Sequence, residues 1–187
     1  PVDATLILES NKQIGSPRFL DRRELGVFNI GGSGRVVVDN DSYELQRTDA
    51  LYILMGTAIV SFTSDVATNP VRYYLVSTPA HSAHTVGKIT ADEANLITLG
   101  TQSDANIRLL RQYIHPDVCT SCQLTMNMTL IAEGSVWNTM PCHTHDRRTE
   151  VYLYFNMYPL RQALSFSHKY LGSLQPSGTI VPSLATC

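Results

Sequence analysis

Side chains able to bind a metal or move a proton gather in one short stretch, Pro141-Cys142-His143-Thr144-His145-Asp146-Arg147-Arg148-Thr149-Glu150, which runs directly into Val151-Tyr152-Leu153-Tyr154-Phe155. On an extended chain alternate residues face one side, so His143 and His145 project together. The residues from Asp146 to Thr149 form a bend, and Glu150 returns on a neighbouring strand toward the same interior. Two imidazoles and a carboxylate in that arrangement suit zinc, iron(II), manganese or nickel, with one or more positions left open for water or substrate. A bare His-x-His is more often a solvated or hydrogen-bonded pair. A carboxylate at this offset, within a chain that otherwise reads as a β-barrel, favours the metal site.

Other residues with chemical potential read more plainly. Cys119-x-x-Cys122 has neither a second cysteine pair nor a βαβ pattern around it, so the two are read as strand cysteines rather than a redox pair or half a zinc site. Gly31-Gly32-Ser33-Gly34 is followed by the strand-like Arg35-Val36-Val37-Val38 and not by a helix, which makes it a hairpin turn rather than a phosphate cradle. His81 and His84 lie outside any ligand pattern and read as loop residues, and Trp137 as a packing residue. Asp21-Arg22-Arg23-Glu24 reads first as a solvated face, although adjacent guanidinium groups could also hold a substrate carboxylate.

The elements that must position these groups are strands. From Leu25 to Ser77 short apolar and β-branched runs alternate with turn residues, which predicts an antiparallel meander and an all-β fold. Strands are expected at Leu25 to Ile30, Arg35 to Val38, Ser42 to Leu45, Ala50 to Ile53, Ala58 to Phe62 and Val71 to Ser77, closing a barrel or sandwich. Thr78 to Pro116 loses this period and reads as a connector, with Ser103 or Asp104 capping a short helix through Gln112 in which Ile107, Leu110 and Ile114 recur at helical spacing. A second β-rich stretch begins near Cys119, with strands at Gln123 to Ile131 and Glu150 to Phe155. The last part, Tyr158 to Cys187, contains no Asp or Glu and has no steady period.

Composition narrows the partners. The chain has 187 residues, 43% of them hydrophobic, and a net charge of -2, the range of a globular protein with a full core. No run of Lys and Arg offers a surface for nucleic acid or anionic lipid, and no apolar stretch approaches a membrane span. The expectation is a cytoplasmic protein with neither nucleic-acid nor membrane partners. Its four cysteines are too few and too irregular for a disulfide scaffold and are expected to be reduced. It begins at Pro1 without an initiator Met, as a piece of a longer chain would.

Phe19-Leu20-Asp21-Arg22-Arg23-Glu24-Leu25-Gly26-Val27-Phe28-Asn29-Ile30-Gly31-Gly32 and Trp137-Asn138-Thr139-Met140-Pro141-Cys142-His143-Thr144-His145 closely resemble the 5-keto-4-deoxyuronate isomerase family, the 4-deoxy-L-threo-5-hexosulose-uronate ketol-isomerases. The resemblance runs from about Pro1 to Met157. It implies tandem cupin-like barrels of the double-stranded β-helix or jelly-roll kind: a first barrel, largely present, with a connector over 1–115, and an incomplete second barrel over 116–187 whose tail diverges from 158. It further implies one zinc per chain, with family ligands falling on His143, His145 and Glu150, and a homo-oligomer, a hexamer. The activity implied is an aldose–ketose isomerisation of 5-keto-4-deoxyuronate to a 3-deoxy-hexodiulosonate, in the breakdown of pectin and other uronates.

Two departures accompany the resemblance. Family members carry a further N-terminal segment, and their fourth zinc ligand is a histidine from a later strand; here His168 falls too early, and Val181 stands where the histidine following Pro176-Ser177-Gly178 would be. The chain is therefore expected to lack that ligand, and Tyr158 to Cys187 to be an out-of-frame or mispredicted translation, which a clean open frame on resequencing would disprove. In the implied reaction a metal ion stabilises an enediolate-like transition state. Arg22, Arg23, Arg147 and Arg148 are the candidates for the uronate carboxylate, while the catalytic base is not assigned, Tyr152 and Tyr154 being candidates by position alone. The alternatives are a catalytically inactive cupin fragment that binds a sugar acid or has a structural role, and an iron(II) dioxygenase, which shares the ligand set but not the family resemblance.

Overall fold

The computed structural model describes residues 4–138, 145 and 149–156. Contacts divide the chain into two units, Pro1–Ser135 and Val136–Cys187. The first holds the strands β1 (Leu6–Ile7), β2 (Arg23–Asn29), β3 (Gly34–Val38), β4 (Asp41–Leu45), β5 (Ala50–Ile53), β6 (Val60–Ser64), β7 (Tyr73–Pro79), β8 (Gly87–Ile89), β9 (Asn95–Leu99), β10 (Arg108–Ile114) and β11 (Met126–Ile131). Among the described residues there is no helix long and apolar enough to cross a membrane. The expected all-β class is what the chain adopts.

Three antiparallel sheets form, ordered β1-β6-β3-β4, β7-β2-β5-β8 and β11-β10-β9. Period-two patterning assembles the first two into a sandwich. Val36 and Val38 of β3, with Leu45, Val60 and Phe62, meet Leu25 and Val27 of β2 and Leu51 and Ile53 of β5 in one core cluster. The intervening residues of β2 point the other way, toward the third sheet. A Cβ on Gly26 would stand 3.0 Å from Ile114 Cδ1 and 3.1 Å from Met126 Sδ, and Phe28 meets Tyr113 edge to face at 5.0 Å. With both faces covered, β2 is buried from Glu24 to Asn29 and β5 throughout, as in the central strands of a layered β-fold.

The glycine turn is not a hairpin. β2 pairs with β5 and β7, whereas β3 pairs with β4 and β6, so Gly31-Gly32-Ser33 carries the chain from one sheet to the other. The crossing lies against residues 69–72, with hydrogen bonds Gly32 N to Pro70 O at 3.0 Å and Ile30 N to Arg72 O at 2.8 Å. A Cβ on Gly32 would fall 1.9 Å from Asn69 O, so a side chain has no room. Buried Asn29 holds the corner, donating to the carbonyls of Gly32 and Leu45 and accepting from Gly31 N. A true hairpin follows at Asp39-Asn40, between the paired Val38 and Asp41, with Asp39 at a φ of 53° and its Oδ1 accepting from Ala58 N and Ile59 N.

Two further expectations give way. Residues 78–116 are not a bare connector, for they include β8, β9 and β10. Nor is 104–112 a helix: β10 is the central strand of its sheet, laddered to β9 and β11 on either side, and those ladders outweigh a helical spacing that rests on only three apolar residues. Cys119 and Cys122 lie in the loop between β10 and β11 rather than on a strand.

Candidate metal and acid–base site

The chemistry-bearing stretch belongs to the second unit, where His145, Glu150 and Tyr152 are described and His143, Arg147 and Arg148 lie outside the described residues. His145 Nε2 stands 2.9 Å from Glu150 Oε1, with the two side chains 29% and 33% exposed. The other carboxylate oxygen accepts a hydrogen bond from the Tyr152 hydroxyl at 2.6 Å. Glu150 thus bridges an imidazole and a phenol, one on each oxygen. Tyr152 and Tyr154, two residues apart, share a face and stack with centroids 6.5 Å apart and planes 17° from parallel. Glu150 to Phe155 was expected to be a strand, yet only Tyr152 makes a β-bridge.

His145 and Glu150 supply two donors of the kind a divalent ion takes, and among the described residues no third His, Cys, Asp or Glu joins them. At 2.9 Å the two groups make a direct hydrogen-bonded contact, and they are the side chains that would hold such an ion. An imidazole nitrogen and a carboxylate oxygen are both zinc ligands, and a phenol donating to the second oxygen is the kind of outer contact that fixes a ligating carboxylate. Sequence spacing alone named His145 and Glu150; the bridging role of Tyr152 comes from the structure.

In the first unit, Arg22 is exposed. Arg23 directs its guanidinium at Ser77, with Nε 2.8 Å from the hydroxyl and Nη2 2.7 Å from the carbonyl. Glu24 departs from the solvated-face reading altogether, being completely buried. Its Oε2 accepts from the Tyr52 hydroxyl at 2.7 Å and Cys122 N at 2.8 Å, its Oε1 from Gln123 N at 2.7 Å and Leu124 N at 2.6 Å. Four donors compensate a carboxylate removed from water. No local signal announces such a role, because three of the donors come from a loop about a hundred residues away.

The described residues form layered antiparallel sheets of an all-β protein, with an imidazole, a carboxylate and a phenol gathered in the stretch that follows. The profile of the KduI/IolB family matches residues 4–170, and the chain belongs to that family. The match continues beyond Met157, where the motif resemblance was expected to end. Relatives include the 4-deoxy-L-threo-5-hexosulose-uronate ketol-isomerase of Caldicellulosiruptor bescii, 48% identical over 157 residues, covering 84% of this chain and 57% of the relative. The corresponding ketol-isomerase 1 of Rhizobium meliloti is 47% identical over 157 residues, covering 84% of this chain and 56% of the relative. The chain thus spans little more than half the length of these curated relatives. Among solved structures it is similar to an IolB-like protein from Salmonella typhimurium LT2, with a TM-score of 0.49 and 19% identity over 63% of this chain and 42% of that one.

Proposed function

We propose that this chain carries the metal-binding part of a 4-deoxy-L-threo-5-hexosulose-uronate ketol-isomerase, with His143, His145 and Glu150 as zinc ligands. The observation that carries the reading is the Glu150 carboxylate, held between His145 and Tyr152 in a chain whose relatives bear that activity in their names. The reaction moves a carbonyl between adjacent carbons of an open-chain sugar acid, so a proton must change carbons while charge develops on neighbouring oxygens. Bound zinc supplies Lewis-acid stabilisation of that charge. Tyr152 holds the Glu150 carboxylate in one orientation through Oε2 and leaves Oε1 beside His145. Arg22, Arg23, Arg147 and Arg148 are the candidate anchors for the uronate carboxylate, which a guanidinium engages through paired hydrogen bonds. A cytoplasmic homo-oligomer of tandem barrels, the second beginning near residue 116, and a place in pectin and uronate breakdown belong to the same proposal.

Zinc per chain after exhaustive dialysis tests this reading, measured for the full chain and for His143→Ala and Glu150→Gln, together with turnover of the open-chain uronate followed by NMR. About one zinc per chain, lost in both variants, with turnover in the parent, is the expected result. No zinc in the parent overturns the metal assignment, and zinc without turnover overturns the enzymatic one in favour of a sugar-acid-binding role.

A further inference from the structure

Outside the site already described, one nucleophile is held in a defined setting. Cys122 Sγ lies 3.3 Å from His81 Nδ1, and the His81 backbone N–H points at the same sulfur at 3.4 Å. Both loops that meet here are anchored. Cys122 N is fixed by buried Glu24, and Gln123 Nε2 donates to Pro79 O at 3.1 Å. On the other side, Ala80 N donates to Arg22 O at 2.9 Å. The thiol and the imidazole are therefore brought together by the backbone rather than by two free surface side chains. Cys122 is partly exposed and His81 is exposed, so a reagent can reach the pair.

We propose that Cys122, paired with His81, is a thiol-modification site that accepts small disulfides. In the step, the Cys122 sulfur attacks one sulfur of a disulfide RS–SR. A new S–S bond forms to Cys122 while the old one breaks, and its electron pair leaves on RS⁻, which takes up the proton given up by the Cys122 thiol. Cys122 is oxidised to a mixed disulfide and the small disulfide is reduced to one equivalent of thiol, so electrons and protons balance. Reactivity follows the thiolate and its access. Hydrogen bonds from the Ser82 side chain and the His81 N–H hold the Cys122 thiol below its ordinary range, against the opposing charge of Glu24. Cys119 is the internal contrast, for burial pushes its thiol up.

Stopped-flow labelling of the full chain with the aromatic disulfide dithiobis-nitrobenzoate at neutral pH, followed by peptide mapping, tests this. One fast-reacting thiol mapping to Cys122 is expected. It should vanish in Cys122→Ser, persist in Cys119→Ser, and slow by a few-fold in Ser82→Ala and in His81→Asn, each of which takes a hydrogen-bond partner from the Cys122 sulfur. A variant that unfolded would label faster, not slower, so slowing cannot come from lost structure. A fast phase that maps elsewhere, or one as fast or faster in both His81→Asn and Ser82→Ala, overturns the proposal.

Discussion

Replacing Glu24 probes the contact that joins the loop ahead of β11 to the sandwich. A glutamine there keeps the shape but offers one acceptor oxygen where the carboxylate offers two. With the amide oxygen placed at Gln123 N and Leu124 N, its NH2 faces the Tyr52 hydroxyl and Cys122 N. The hydroxyl can turn and accept, but the Cys122 N–H is left without a partner. A stripped donor costs about 2 kcal/mol, and loss of charge assistance in the two surviving N–H bonds adds about 1 kcal/mol, so Glu24→Gln should cost about 3 kcal/mol. Glu24→Ala strips all four donors, with Tyr52 completely and Leu124 almost completely buried, and should cost about 5 kcal/mol. At about 3 °C per kcal/mol for a chain of this size, the melting temperature falls by about 9 °C and about 15 °C respectively. Thermal unfolding followed by circular dichroism measures both. Glu24→Ala melting within about 3 °C of the parent would refute the reasoning, since four such donors cannot lose a buried acceptor at no cost.

Tyr152→Phe removes the hydroxyl that orients Glu150 and should weaken zinc binding by about tenfold while leaving the melting temperature of the zinc-free protein unchanged, a difference that competition with a chromophoric chelator reads directly. Gly32→Ala drives a methyl into Asn69 O and should destabilise by about 3 kcal/mol, seen as a lower urea midpoint with an unaltered slope. Burial raises the phenols of Tyr52, Tyr73, Tyr74 and Tyr113, the last to about 12. In the unfolded chain they ionise near pH 10. The stability they contribute is therefore complete below about pH 10 and is lost as pH climbs from there toward the raised native values. Ultraviolet titration should show these tyrosines ionising late and together with unfolding; all nine tyrosines ionising near pH 10 in a still-folded chain would contradict this.

The strands of the sandwich were legible because β-branched runs such as Val36-Val37-Val38 are separated by turn residues, and all six strands expected between Leu25 and Ser77 agree with the structure to within two residues at each end. What a local pattern could not report was pairing. Gly31-Gly32-Ser33-Gly34 looks the same whether the chain turns back on itself or crosses to another sheet, and only the approach of residues 69–72 distinguishes the two. Ile107, Leu110 and Ile114 fit a helical face as well as they fit alternating sides of a strand, so the partners β9 and β11 decided. The closeness of His145 to Glu150 was readable from their offset, whereas the buried acceptor at Glu24 was not, since its Asp-Arg-Arg-Glu setting is that of an exposed turn.

The Glu24 contacts also order events in time. They join residues 98, 99 and 100 positions apart, and closing a loop of that length costs about 4 kcal/mol in chain entropy, close to what the contacts return. Such contacts cannot nucleate folding and belong on the native side of the barrier, so losing them should hasten unfolding far more than it slows folding. On the ribosome the consequence is sharper. Strands β1 to β8, the whole sandwich, end at Ile89, yet while they emerge and pair, Glu24 has Tyr52 alone among its four donors. The sandwich by itself gives the Glu24 carboxylate one of its four donors, and residues 122–124 supply the other three.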